Sequence, residues 1–307
     1  MSRVPASLNI DRIVSVAKVL STLSLSRADV FDTRFFPPRD ADTESVYNYF
    51  LAMVAIDHRT HLGNYVFSRK INGEVFTGSD LLWRLGMEVF NRDKSFFSPI
   101  RLSMLDPLTV RDWLVGDYGP VWDYGVRAYL LRDVGAKVVK HYGTTLRLFD
   151  VNDADELLNR LSMMIAYEDP VRKKAYLLMK FLVARGLLKI RQGDIKLPID
   201  NHLTRIAYRL GIVRLEDWVV ELIRQGVHVD RDLDIRLRLL VRDAWDAVVR
   251  VGKLDPIALD DFLWRLGRTT CIVDKPRCEQ CPLRSVCQAY SRGFFINEHV
   301  HYLTYYY

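Results

Sequence analysis

The chain has 307 residues, 49% of them hydrophobic, with a formal net charge of +6 and a pI near 9.1. It is long enough to bury one large core or two modest ones, and its longest apolar runs are far too short for a helix that crosses a bilayer. The basic balance favours a polyanionic partner such as nucleic acid.

Taken in order, nearly every segment carries helical period. Ile10, Ile13, Val14, Ala17 and Leu20 form one apolar stripe, and Val46, Tyr49, Phe50, Met53 and Val54 form another. Leu81, Leu82, Leu85 and Val89 follow, then Leu157, Leu158 and Leu161. Helices are predicted over 124–142, 173–185, 201–210, 217–225, 233–251 and 259–266. The exception is 65–76, where Asn72-Gly73 between short apolar arms predicts a tight β-hairpin. The expected class is all-α with one small hairpin. The expected division is an N-terminal helical region, 1–150, contributing to a substrate pocket, a helical region, 151–265, and a cysteine-bearing tail, 266–307. The start of the chain lacks a signal peptide, so a cytoplasmic location is expected; a monomer is expected as well.

Three stretches carry candidate chemistry. Asp57-His58-Arg59-Thr60-His61 follows a strongly apolar helix. The segment reads as a helix terminus with Asp57 and Arg59 making local hydrogen bonds, or as two histidines, His58 and His61, that with Asp57 line a substrate pocket or hold a metal. Pro198-Ile199-Asp200-Asn201-His202 reads as loop then helix, with Asp200 at the N-cap. The four cysteines, Cys271, Cys278, Cys281 and Cys287, are all that the chain has, spaced C-x6-C-x2-C-x5-C. Four thiolates this close can converge on one soft metal centre, and a structural zinc, a [4Fe–4S] cluster and two disulfides are the candidates.

The run Leu263-Trp264-Arg265-Leu266-Gly267-Arg268-Thr269-Thr270-Cys271, with Cys278-Glu279-Gln280-Cys281-Pro282 and Cys287, resembles the iron–sulfur loop of the endonuclease III and adenine-glycosylase family, the HhH-GPD superfamily. The resemblance implies a helix-hairpin-helix glycosylase fold, a [4Fe–4S] cluster on the four cysteines, and DNA as partner. It implies that Lys275, Arg277 and Arg284 meet phosphate. Asp200, His202, Arg205 and Leu210-Gly211 match the family's V-D-x-H/N-V-x-R stretch, which implies that Asp200 is the catalytic carboxylate and that His202 and Arg205 face substrate. Arg172-Lys173-x-Ala175 matches the end of the family's hairpin motif and implies that Lys173 is its nucleophile. The departure is the hairpin itself: Glu168-Asp169-Pro170-Val171 stands where the family has L-P-G-x-G.

A wider stretch is similar to queuosine salvage glycosylases. It runs through the helix ending near Asp57, the helix 126–142, Lys173–Leu178, Asp200–Gly211 and the 239–248 helix with Trp245. That likeness implies a modified nucleoside or nucleotide as substrate and departs at the cysteine loop, which that family lacks. The expected activity is hydrolysis of an N-glycosidic bond, with base release from DNA ahead of nucleoside salvage. A non-catalytic nucleic-acid-binding protein that retains the fold is the remaining alternative.

Overall fold

The computed structural model describes residues 4–191 and 194–307. The protein is mostly helical and divides into two compact units, Met1–Ala28 with Gln192–Thr304, and Asp29–Arg191 with Tyr305–Tyr307.

In the first unit, helix Ile10–Leu20 lies along the long helix Arg231–Gly252. Strand Ala6–Leu8 pairs antiparallel with Val213–Leu215, which the helical period does not anticipate. Short polar residues start the helices, because a side-chain oxygen can take an amide that the first turn leaves without a partner. Asn9, Asp200, Asp230 and Asp255 do this here. Helix Asn201–Leu210 packs against both Arg231–Gly252 and Pro256–Thr269. Trp245, fully buried, donates its indole N–H to the Leu203 carbonyl at 3.2 Å. Gly267 is glycine for a steric reason: a Cβ there would stand 2.6 Å from the His202 Cβ. Beyond Thr269 the chain runs through two 3-10 turns, Cys278–Gln280 and Arg284–Val286. It then forms the short helix Gln288–Arg292, which rests on Asn201–Leu210.

The second unit is built around helix Thr43–Ala55, buried at every position from Val46 to Ala55. A helix apolar on all sides needs neighbours all round. Ser79–Arg92, Tyr124–His141 and Lys173–Ala184 supply them. Phe36, Phe50, Trp83 and Phe181 form the aromatic part of this core, with ring centroids 5.2–6.0 Å apart. The predicted hairpin is present, Ser68–Ile71 against Glu74–Thr77, turning at Asn72 (φ 50°) and Gly73 (φ 87°). A second, two-residue pair joins Val115–Gly116 to Gly119–Pro120. Ile10 departs from its predicted stripe: it sits in the first turn of its helix and is 60% exposed. No helix among the described residues is long and apolar enough to cross a membrane.

Helix Tyr124–His141 meets Pro99–Ser103 closely at Gly135. A Cβ there would lie 2.5 Å from both the Pro99 carbonyl oxygen and the Ser103 amide nitrogen. These are backbone atoms and cannot rotate aside. Gly135→Ala is therefore expected to destabilise the protein by about 1–3 kcal/mol through overpacking, measured as a lower urea midpoint.

Candidate functional site

Asp200 stands at the N-cap of helix Asn201–Leu210, with extended backbone and Oδ1 accepting from the Leu203 amide at 2.9 Å. Its other carboxylate oxygen takes no hydrogen bond among the described residues, and the residue is half-buried. It is a carboxylate fixed through one oxygen and open at the other.

The helix that Asp200 starts is tied to the cysteine loop by two arginines one turn apart. Both are about 1% exposed. A buried guanidinium is tolerated only when its donors find acceptors, and here they do. Arg205 donates to the carbonyls of Cys271 (2.9 Å) and Gly267 (2.9 Å), to His202 Nδ1 (2.9 Å), and with two contacts of 2.8 Å to Glu298. Arg209 donates to the carbonyls of Ile272, Val273 and Ile296, to Asn297, and to the Cys271 Sγ at 3.4 Å. Burial, opposed by Asp200, holds the His202 imidazole below its usual pKa.

All four cysteines are free thiols, half-buried, and line one small cavity of about 20 Å³ together with Arg209, Arg284, Tyr290 and Phe295. They ring the cavity without converging on a point. Among the described residues no three His, Cys, Asp or Glu side chains are gathered as the ligands of a single ion are. Burial, reinforced by the neighbouring thiols, raises Cys278 and Cys287 and pushes Cys281 up to about 11. Lys275 and Arg277 are exposed on this loop, while Arg284 is paired with Glu279.

Lys173 belongs to the other unit. It opens helix Lys173–Ala184, is 8% exposed, and donates from Nζ to the Asp57 carbonyl at 3.1 Å. The Asp57 carboxylate does not bond locally: it accepts from Ser79 Oγ (2.9 Å) and Trp83 Nε1 (3.3 Å). His58 is buried and joins Asp123 at 2.7 Å, whereas His61 is exposed and hydrogen-bonds to the Thr60 hydroxyl at 3.2 Å. Burial first, then the charges of Arg127, Lys174 and Lys173, holds His58 well below its usual pKa, and burial alone lowers His61.

The segment before Lys173 turns without glycine. Asp169, 2% exposed, accepts from the amides of Val171 (3.0 Å) and Lys173 (3.1 Å). Arg172 takes the left-handed conformation at φ 63°, strained for a residue with a Cβ. Glu168 accepts from the hydroxyls of Tyr305 (2.6 Å) and Tyr306 (3.4 Å).

Sequence reasoning assigns no role to Lys174, Asp123, Arg127 and Arg209. The i,i+4 spacing of Asp123 with Arg127 and of Arg205 with Arg209 was a visible signal, since such pairs share a helix face.

His58 makes the second unit acid-sensitive. Its folded pKa is depressed, while the unfolded chain keeps the ordinary value of about 6.5. Below that pH the unfolded state takes up the proton first, so stability present above pH ~6.5 is lost on acidification. His58→Gln is expected to show a smaller fall in urea midpoint between pH 7.5 and 5.5 than the unchanged chain; an equal fall would refute the point.

No family model matches the chain. It is 31% identical over 91 residues to an endonuclease III homolog of Encephalitozoon cuniculi, covering 30% of this chain and 29% of that protein. It is 28% identical over 105 residues to endonuclease III of Bacillus subtilis, covering 34% and 38%. It is 40% identical over 57 residues to an adenine DNA glycosylase of Arabidopsis thaliana, covering 18% and 9%. The matches thus span less than two-fifths of these curated relatives. Among solved structures, a trapped endonuclease III–DNA covalent intermediate shares the fold, with a TM-score of 0.50 at 16% identity over 92% of this chain and 96% of the other. Stretches of the chain are thus similar in sequence to endonuclease III and adenine DNA glycosylase, and its helical fold is shared with endonuclease III.

Proposed function

We propose that the protein is an N-glycosylase that releases a base from DNA, with a [4Fe–4S] cluster on Cys271, Cys278, Cys281 and Cys287. One observation carries this reading. The helix capped by Asp200 holds the four-cysteine loop through Arg205 and Arg209, so the carboxylate and the thiols form one construction. The local similarity to proteins named endonuclease III and adenine DNA glycosylase supports it.

Breaking an N-glycosidic bond leaves a sugar with oxocarbenium character. A carboxylate held by one oxygen and open at the other suits that charge, and it can orient or deprotonate the attacking water. Lys173 is the candidate amine for covalent attack on the sugar, which would add strand cleavage. Lys275 and Arg277, exposed on the cysteine loop, suit phosphate. The cluster's own contribution is structural: bound by the four thiolates, it would fix the loop that Arg209 and Arg205 grip. We place the protein in the cytoplasm, where thiols stay reduced.

A second reading, salvage of a free modified nucleoside, is favoured by the hairpin. Its Val171 and Lys173 amides, the kind of groups that would meet a duplex phosphate, are occupied by Asp169. A base-release screen over damaged duplexes and modified nucleosides side by side separates the two.

Asp200→Asn keeps a capping side chain and is expected to lower base release by at least ~100-fold with an unchanged melting temperature. Retained turnover would sink the assignment. Cys281→Ser is expected to remove iron, measured by metal analysis and loss of visible colour. Stoichiometric zinc in the unchanged protein would overturn the cluster.

A further inference from the structure

Five successive carbonyls leave the end of helix Thr43–Ala55, and every one accepts from a cation. Lys174 Nζ donates to Ala55 at 2.5 Å, and Lys173 Nζ to Asp57 at 3.1 Å. Arg127 donates to Ile56, to His58 (3.2 Å) and to Arg59 (2.8 Å). The carbonyl end of a helix attracts positive charge, but three cations side by side repel one another.

The neighbouring groups answer that repulsion. Lys174 has no exposed surface, and its Nζ lies 3.3 Å from His58 Nδ1. His58 Nε2 lies 2.7 Å from Asp123 Oδ2, and Asp123 Oδ1 accepts from Arg127 Nε at 2.7 Å. With an amine donating to Nδ1, the imidazole proton belongs on Nε2 and is donated to Asp123. The result is a carboxylate–imidazole–amine chain, the wiring that elsewhere prepares a nucleophile. Its amine is enclosed, however, while the next residue back, Lys173, keeps some exposure. The charges also balance. Arg127 and Lys173 stand against Asp123 and Asp57, so the group is neutral if Lys174 and His58 are uncharged.

We propose that Asp123, His58 and Lys174 are positioning residues for Lys173. They hold its amine on the Asp57 carbonyl and set the charge that it feels. This rests on the reading of Lys173 as the reactive amine. The charged or titratable groups around it are Lys174, Arg127, His58, Asp57 and Asp123, with Asp169 on its own amide.

The test needs no nucleic acid. Lys173 is methylated with formaldehyde and cyanoborohydride across a pH series, and its peptide is quantified by mass spectrometry. Asp123→Asn removes the anion at the far end of the chain that reaches Lys173 through His58 and Lys174, so the ammonium form loses support and the amine gives up its proton at lower pH. The midpoint of methylation is expected to fall by about one pH unit. An unchanged midpoint in the folded variant overturns the proposal. If Asp123→Asn does not fold, His58→Leu and His58→Gln decide. The leucine variant changes Lys173 methylation at fixed pH by about tenfold, and glutamine, which can both accept and donate, restores it. Equal rates in the two overturn the proposal. A shifted midpoint in a chain that releases no base keeps this inference and fails the proposed function. Base release with no shift fails only the inference.

Discussion

Buried positive charge needs buried acceptors, and each unit satisfies that demand with backbone carbonyls. In one unit, Arg127, Lys173 and Lys174 close the end of helix Thr43–Ala55. In the other, Arg205 and Arg209 gather the carbonyls of the cysteine loop and of the segment around Ile296. A guanidinium brings five donors in a fixed plane, so it can hold several irregular strands at once. Such groups stabilise only while their partners stay in place, because an orphaned buried charge costs several kcal/mol. Irregular segments become rigid without regular secondary structure.

This explains why the cysteine loop needs its neighbouring helix. Its 3-10 turns are short and contain no fully buried residues. What orders it comes from outside, through the side chains of Asn201–Leu210. The carboxylate that starts this helix and the thiols that its arginines hold thus share one rigid element, and Gly267 allows the close approach of His202 that completes it.

Much of this was legible in the sequence. Helix periodicity located Asn201–Leu210 and, within a residue at either end, Tyr124–His141, Lys173–Ala184 and Asp217–Arg224, and Asn72-Gly73 announced the hairpin. Asp200 was readable as a cap because its side-chain chemistry acts within four residues. The buried network was not, because Lys174, His58 and Asp123 are far apart in the chain and nothing in their local patterns joins them. Only the fold reveals that Lys174 faces inward, while charged residues at a helix start ordinarily face water. Asp57 misled in a similar way: its partners, Ser79 and Trp83, lie more than twenty residues away.

The turn before Lys173 carries a consequence for how the protein meets salt. Its amides are saturated by Asp169, an anion supplied by the chain itself and shielded from solvent. Counterions cannot compete for a seat already taken out of water. The geometry at this turn is therefore indifferent to ionic strength, and the protein's salt dependence arises elsewhere, at its exposed charges.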